Sequence, residues 1–124
     1  MSVPRIVALR GAISVAVNEA DEILDATEEL VRELMARNRL EPDDVVSAIF
    51  TATSDLDAEF PAVAARRIGL DGVSLLCARE LSVPGAMPRV IRILMHCYPP
   101  EGSETRHVYL REAAALRRDL GAAQ

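Results

Sequence analysis

The feature that most constrains the fold is the stretch of residues 76–95, in which two apolar runs are separated by a turn. Each run contains a charge: Glu80 closes the first, and Arg92 lies inside the second, in the order Val-Ile-Arg-Ile-Leu. Pro84 and Gly85 mark the turn. Because burying a charge without a partner is costly, Arg92 requires an anion. We expect this anion to be Glu80, a group on a second chain, or a ligand.

The composition is that of an ordinary globular protein and excludes several classes of function. The chain has 124 residues, 50% hydrophobic and 27% charged, which fits a single domain over residues 1–124. Its net charge of -5 argues against a nucleic-acid-binding surface. No apolar run reaches the roughly 18 residues of a membrane span, and the start lacks a signal-peptide core. We expect a cytoplasmic protein that binds neither nucleic acid nor membrane.

All 14 basic residues are arginines. Codon bias in a GC-rich genome explains this without any functional role, and the many alanines agree with it. Any anion site must nevertheless use planar guanidinium groups, which bind carboxylates at two points. Arg10 and Arg92 differ from the other arginines because apolar strand residues surround them. The pattern leaves two alternatives, an anion-binding pocket or a structural ion pair with Glu80.

Hydrophobic periodicity predicts an α+β fold with the order β-α-β-α-β-β-β. Strands are expected over residues 3–17, 45–53, 73–80, 89–98 and 106–110, and helices over residues 19–38 and 62–68. Asn18 is the expected cap of the first helix, Gly69 ends the second, and Gly11 suggests a β-bulge. The result is a mixed β-sheet with helices on one side. Residues 118–124 are expected to form a flexible tail.

A small sheet whose strands are apolar on both faces has one face left to cover. Self-association would supply that cover, so we expect an oligomer.

The histidines and cysteines do not form a recognisable metal site or catalytic set. His96 and Cys97 are neighbours and would point to opposite faces of a strand, and there is no Cys-x-x-Cys pair. Cys77 is more simply a small buried apolar residue than a nucleophile, although a hydrogen bond to a ligand stays open. We expect no metal and no cofactor, and two cysteines suit a reduced compartment.

Short motifs follow one another in a specific order along nearly the whole chain. They are Arg10-Gly11-Ala12, Asp55-Leu56 followed by Phe60-Pro61-Ala62 and Arg66, Cys77-x-x-Glu80, Pro84-Gly85 leading to Arg92, Arg106-His107-Val108-Tyr109-Leu110, and Leu116-Arg117. Each motif alone is weak, but their order and spacing are highly specific. With them, the chain resembles the monofunctional bacterial chorismate mutases of the trimeric α/β type.

The resemblance implies a fold, an assembly and a reaction. The fold would be ferredoxin-like or chorismate-mutase-like. Three chains would form a homotrimer, a pseudo-α/β-barrel with active sites at the subunit interfaces. The reaction would be the Claisen rearrangement of chorismate to prephenate, which feeds phenylalanine and tyrosine synthesis. It is intramolecular and transfers no proton to or from the enzyme, which agrees with a sequence that offers no convincing base, nucleophile or metal site.

The resemblance also implies roles for individual residues. Arg92 would donate to the ether oxygen of chorismate, and Glu80 would lie near the ring hydroxyl and the positively charged side of the transition state. Arg10 would take part in catalysis by binding the side-chain carboxylate. The other implied substrate contacts are Tyr109 at the same carboxylate, Phe60 and Ala62 as a wall, Cys77 at the ring hydroxyl, and Leu76, Arg66, Leu116 and Arg117. Arg118 replaces an expected proline, which leaves open whether Arg117 or Arg118 closes the site.

Two other functions agree with parts of the sequence. A non-catalytic trimeric sensor of a dicarboxylate metabolite would explain Arg10 and Arg92 but would give Glu80 no purpose beyond an ion pair. An enamine or imine hydrolase rests on analogy of fold, which does not fix function. The complete set of motifs favours the mutase.

Overall fold

The computed structural model describes residues 3–117, which form a five-stranded mixed sheet with helices on one face. The strands are β1 (Val7–Ser14), β2 (Val45–Ala52), β3 (Ser74–Arg79), β4 (Val90–Cys97) and β5 (Val108–Leu110), and the helices are α1 (Ala20–Arg37) and α2 (Ala62–Ala65). A π-helical turn, Arg66–Leu70, continues α2, and short 3-10 turns lie at Pro42–Asp44 and Arg111–Ala113. The α+β class and the order of elements are confirmed.

The strand order in the sheet is β3-β2-β4-β1-β5. Strand β4 lies between β1 and β2 and runs antiparallel to both. Strand β5 is parallel to β1, and β3 is parallel to β2. Because β1 and β2 are therefore parallel, α1 connects them across β4 in the split β-α-β arrangement of ferredoxin-like folds. This topology puts β4, the strand that carries Arg92, in the middle of the sheet.

Helix α1 covers one face of the sheet with an apolar stripe. Ile23, Leu30 and Leu34 are fully buried, whereas ion pairs between residues four apart lie on the outer side of the helix. The stripe packs on alternate residues of the strands in one hydrophobic cluster, which includes Leu9, Ile13, Ala48, Phe50, Ile91, Ile93, Met95 and Cys97. This face of the sheet is therefore the hydrophobic core.

We call the opposite face of the sheet the open face. The register places two adjacent rows of residues on it, Ala78-Thr51-Arg92-Ala12-Tyr109 and Leu76-Ile49-Leu94-Arg10. At one end, Ala113 from the segment after β5 packs against Ala12 and Val90. At the other end, Leu76 is 60% exposed. Apolar surface thus remains uncovered on this face.

The structure contradicts the bulge predicted at Gly11. Strand β1 pairs with β4 in regular register along its whole length, and the irregularity lies in β2, between Val45 and Ser47. A glycine is needed at position 11 for a different reason. An added Cβ would lie 3.0 Å from Cγ2 of Ile93 and 3.1 Å from Cδ1 of Leu30. Gly11 therefore provides clearance beneath α1.

The predicted cap at Asn18 is also wrong. Glu19 is the residue that precedes α1, and no side chain caps this end of the helix. Asn18 instead binds the loop that follows β2. Gly69 does lie at the end of the second helical segment, as predicted, with φ of +106°.

Candidate active site

The centre of the open face is an ion pair between β4 and the end of β3. The amide of Glu80 donates to the carbonyl of Ala52 at 3.0 Å, which fixes the backbone of Glu80 just after β3. Nη1 of Arg92 donates to Oε1 of Glu80. The Glu80 side chain is 16% exposed and that of Arg92 is 41% exposed. The anion that Arg92 requires is thus Glu80 of the same chain, and the guanidinium stays accessible from the open face.

The strand register brings Arg10 and Tyr109 to the same face. Ala12 pairs with Arg92 on one side and with Tyr109 on the other, so a single small residue separates these two side chains. Arg10 lies two residues before Ala12 on β1, opposite Leu94. Because alternate residues of a strand share a face, Arg10 projects on the same side as Arg92. Two cations and a phenol therefore lie within two rows of the sheet.

His107 is tied to Arg10 at the β5 side of this group. The backbone amide of Arg10 donates to Nδ1 of His107 at 2.9 Å. Burial, together with the positive charges of Arg10 and Arg117, lowers the pKa of His107 from its ordinary value. The imidazole is therefore neutral at pH 7, as this contact requires, because a protonated Nδ1 could not accept.

The segment after β5 closes one end of the open face. Tyr109 and Leu116 pack against the small cluster that Ala12, Val90 and Ala113 form. Arg117 is exposed and is the last residue that the structure describes. Arg118 and the predicted tail over residues 118–124 lie outside the described residues.

Phe60 and Cys77 lie on the other side of the sheet, in a cleft at the β3 edge. Cys77 pairs with Phe50 on the core-facing side of the strands. The cleft has a volume of about 350 Å³, and Leu56, Phe60 and Arg79 are among its lining residues. Phe60 is 68% exposed at this cleft. The cleft therefore combines an aromatic wall, a thiol and a guanidinium.

Two more predicted contacts follow Phe60 along the chain. Ala62 is buried at the first position of α2, and Arg66 is exposed at the end of this helix. Neither residue lines the cleft itself. Because they lie on the same side of the sheet as the cleft, we group Ala62 and Arg66 with Phe60 and Cys77 and call these four residues the cleft set.

Polar side chains anchor the loop that carries Phe60. Oδ1 of Asn18 accepts from the amides of Asp57 and the next residue, each at 3.1 Å, and Nδ2 of Asn18 donates to Asp57 at 2.7 Å. The carboxylate of Asp55 accepts from the amide of Arg89 at 3.1 Å. The loop is therefore tied both to the start of α1 and to the start of β4, which holds the cleft at a fixed position beside the sheet.

The predicted site residues thus form two sets on opposite faces of one sheet. The open-face set comprises Arg10, Leu76, Glu80, Arg92, Tyr109 and Leu116, with Arg117 beside His107. The cleft set lies on the core side. Because the sheet separates them, a single chain does not bring all of these residues around one small ligand.

Sequence reasoning misses two residues of this region. Oγ1 of Thr51 donates to Oε2 of Glu80 at 2.6 Å, and only the register of β2 against β4 reveals this contact. Arg79 lines the cleft. A signal for Arg79 is available in the sequence, because it follows Cys77 by two residues and so shares its face of the strand.

The remaining cysteine and the acidic residues do not add a second reactive centre. Cys97 is buried, and this burial, with the negative charge of Asp44, raises the pKa of the thiol to about 11. Within residues 3–117, no group of three or more His, Cys, Asp or Glu side chains is placed to hold a metal ion. In the same range, no helix has the length and apolar character needed to cross a membrane.

Comparisons with known proteins agree with one another. Residues 6–120 match the family model described as chorismate mutase type I. Chorismate mutase AroH of Thermus thermophilus is 46% identical over 119 residues, covering 94% of this chain and 97% of the relative. Chorismate mutase AroH of Bacillus subtilis strain 168 is 37% identical over 115 residues, 90% of each chain. A solved chorismate mutase from Clostridium thermocellum, Cth-682, has a TM-score of 0.84 at 44% identity, covering 88% of this chain and 98% of that one.

Proposed function

The chain belongs to the chorismate mutase type I family, and we infer from this that it is an isomerase that converts chorismate to prephenate. The family match spans nearly the whole chain, and the fold matches that of a solved chorismate mutase. The resemblance seen in the ordered motifs is thereby confirmed. The sensor and the hydrolase find no support among these relatives.

The Arg92–Glu80 ion pair is the observation on which the site assignment depends. In the transition state of this rearrangement, the ether oxygen of the breaking bond gains negative charge and the ring fragment becomes positive. A guanidinium and a carboxylate held side by side match this separation of charge. We therefore propose that Arg92 donates to the ether oxygen and that Glu80 stabilises the positive side, near the ring hydroxyl.

Arg10 and Tyr109 are proposed to bind the side-chain carboxylate of chorismate. Both lie on the open face, in the rows that contain and adjoin Arg92, and a guanidinium with a phenol hydroxyl provides donors for a carboxylate. Leu116 and Arg117 lie at the same end of the face and would close over the ligand. Fixing the carboxylate and the ether oxygen together holds the compact, chair-like conformer, which is itself a large contribution to the rate.

The two-faced arrangement supports a site shared between chains. In a homotrimer, the open face of one chain would meet the cleft of the next, so that Phe60 forms a wall and Cys77 contacts the ring hydroxyl. A contact between two different surfaces closes into a ring when the rotation allows it. Three chains arranged in this way would form a pseudo-barrel with three sites. The same contact would cover the exposed Leu76.

The reaction is tested with the ultraviolet absorbance of chorismate mixed with the purified protein. We expect the diene signal to disappear and prephenate to be the product. An unchanged signal from a folded protein that still binds chorismate would favour the sensor, and a protein that does not bind chorismate would contradict both functions.

The shared site is tested by mixing two inactive variants. Arg92→Ala damages the open-face set, and Phe60→Asp puts a negative charge at the exposed mouth of the cleft. When the two chains are unfolded and refolded together, about one quarter of the sites in random trimers would contain two intact halves. We expect activity to return to roughly that level. A mixture of wild type with the Arg92→Ala, Phe60→Asp double variant is the control for mixing.

Native mass spectrometry shows whether mixed trimers have formed. If they form but recover no activity, the site lies within one chain and the proposal of a shared site is wrong.

A further inference from the structure

The two oxygens of the Glu80 carboxylate have different partners. Oε1 accepts from Nη1 of Arg92, and Oε2 accepts from Oγ1 of Thr51 at 2.6 Å. Thr51 lies directly opposite Arg92 in the pairing of β2 with β4. Strand β2 also separates β4 from β3, which leads into Glu80. Thr51 is therefore the residue between the two charges.

The hydrogen bond from Thr51 changes what the ion pair can do. A guanidinium and a carboxylate favour a two-point contact, with two nitrogens on two oxygens. Here the pair is joined through one nitrogen and one oxygen, and the other oxygen, Oε2, accepts from Thr51. Among residues 3–117, the guanidinium of Arg92 has Glu80 as its hydrogen-bond partner. Its other N–H groups remain available, and the side chain is 41% exposed on the open face.

We propose that Thr51 is a positioning residue that keeps Glu80 in one-point contact with Arg92 and so leaves Arg92 free to donate to the ether oxygen of the substrate. Thr51 acts through Glu80 and does not itself touch the substrate. Its branched Cβ restricts χ1, which suits a hydroxyl that must point in one direction. The proposal rests on the proposed function and adds to it a residue outside the motifs.

The decisive variant is Thr51→Val, which keeps the shape of the side chain and removes the hydroxyl. Oε2 is then free to turn onto Arg92. We expect kcat to fall about tenfold, equivalent to about 1.4 kcal/mol, while KM changes less than about twofold because Arg10 and Tyr109 are unchanged. Thr51→Ser keeps the hydroxyl and is expected to retain kcat within about twofold of the wild type.

A matched control removes a hydroxyl from the same strand and the same face. Oγ of Ser47 contacts Nδ1 of His96 at 3.2 Å and does not reach the ion pair, so Ser47→Ala is expected to keep the wild-type kcat. The fold and the assembly of every variant are checked by circular dichroism and native mass spectrometry. If Thr51→Val does not fold, Thr51→Ala replaces it with the same expected loss of kcat.

A crystal structure of Thr51→Val provides a readout that a purely structural role would not change. We expect both oxygens of Glu80 on the guanidinium of Arg92. A retained one-point contact, a wild-type kcat in Thr51→Val, or an equal loss in Thr51→Ser would each overturn the role of Thr51. A wild-type protein that does not convert chorismate would instead refute the proposed function itself, so the two failures are distinguishable.

Discussion

Arg92 combines a central position in the sheet with a partly accessible guanidinium. An acceleration of ~10⁶ corresponds to about 8 kcal/mol. Removing one preorganised donor from such a site costs about 3–4 kcal/mol. In the proposed mechanism, Arg92 would therefore supply a large share of the stabilisation but not all of it. The remainder is assigned to Glu80 and to the binding of the reactive conformer.

Replacing Arg92 should reduce turnover far more than substrate binding. We expect Arg92→Ala to lower kcat by about 10²–10³-fold. Arg92→Lys should also be severely impaired, because an ammonium group is a point charge and cannot reproduce the planar donor set. Arg32→Ala, on the outer side of α1 where Arg32 pairs with Glu28, is the control and should be unchanged. Steady-state kinetics on chorismate measure all three.

A wild-type rate in Arg92→Lys would show that charge alone is sufficient. A wild-type rate in Arg92→Ala would remove Arg92 from the mechanism.

His107 should make the stability of the protein depend on pH. Burial, Arg10 and Arg117 lower the pKa of His107 in the folded state, whereas an unfolded histidine takes up its proton near pH 6.5. From about pH 6.5 down to the lowered pKa, the unfolded chain binds more protons, so the free energy of unfolding falls as the pH falls. His107→Asn keeps an acceptor for the Arg10 amide but does not titrate.

Urea unfolding at a series of pH values measures this effect. We expect His107→Asn to lose less stability than the wild type as the pH falls below about 6.5. Identical pH profiles for the two proteins would contradict the role assigned to His107.

The sequence indicates that Arg92 needs a charged partner, but it does not identify that partner. The cost of burying Arg92 predicts an anion beside it, and Glu80 was one of three possibilities. Thr51 could not be predicted, because its contact depends on the register of β2 against β4. That register includes the irregularity between Val45 and Ser47, which no local pattern signals.

At the scale of the elements, the kinds of element could be predicted, but several of their ends could not. The apolar run that predicts β1 begins at residue 3, but β1 begins at Val7, which pairs with Cys97, the last residue of β4. The length of a strand depends on its neighbour as well as on its own sequence. Likewise, β5 is shorter than predicted, because the side chain of Asn38 binds both the amide and the carbonyl of Arg106.

Gly11 is the position where α1 and β1 tolerate no additional atom. An added Cβ would lie 3.0 Å from Ile93, 3.1 Å from Leu30 and 3.2 Å from the carbonyl oxygen of Val108. We expect Gly11→Ala to lower the free energy of unfolding by about 1–3 kcal/mol, the usual cost of overpacking a core. Urea unfolding of the purified variant measures this loss.

Gly72→Ala is the matched control for this substitution. A Cβ on Gly72 would have no atom within 4 Å, so its effect should stay within about 0.5 kcal/mol. If Gly11→Ala were as stable as Gly72→Ala, helix α1 would have to shift away from position 11 without lowering the free energy of unfolding.

At the scale of the whole molecule, the proposed site uses groups that bind and orient the substrate, and none of them is required to transfer a proton. The rearrangement makes and breaks bonds within the substrate alone. We therefore expect kcat to be nearly constant across neutral pH, measured between about pH 7 and 9 so that His107 stays neutral. A bell-shaped profile in this range would indicate general acid–base catalysis.

The mixed sheet with helices on one side could be predicted from periodicity, but the distribution of the predicted site residues over its two faces could not. Predicting it requires the register of every strand, because a shift by one residue exchanges the faces. The resemblance implied sites at subunit interfaces but did not say which residues lie on which face, whereas the structure places Cys77 and Glu80 on opposite sides of the sheet.

Strand β3 shows a further consequence of this arrangement. Leu76 and Glu80 project to the open face, and Cys77 and Arg79 project to the cleft. In the proposed trimer, neighbouring residues of β3 would therefore belong to two different active sites, shared with two different chains. A single-residue insertion or deletion in β3 would reverse the alternation and damage both sites at once. Insertions and deletions within β3 should consequently be absent from active homologues, whereas the lengths of surface loops can vary.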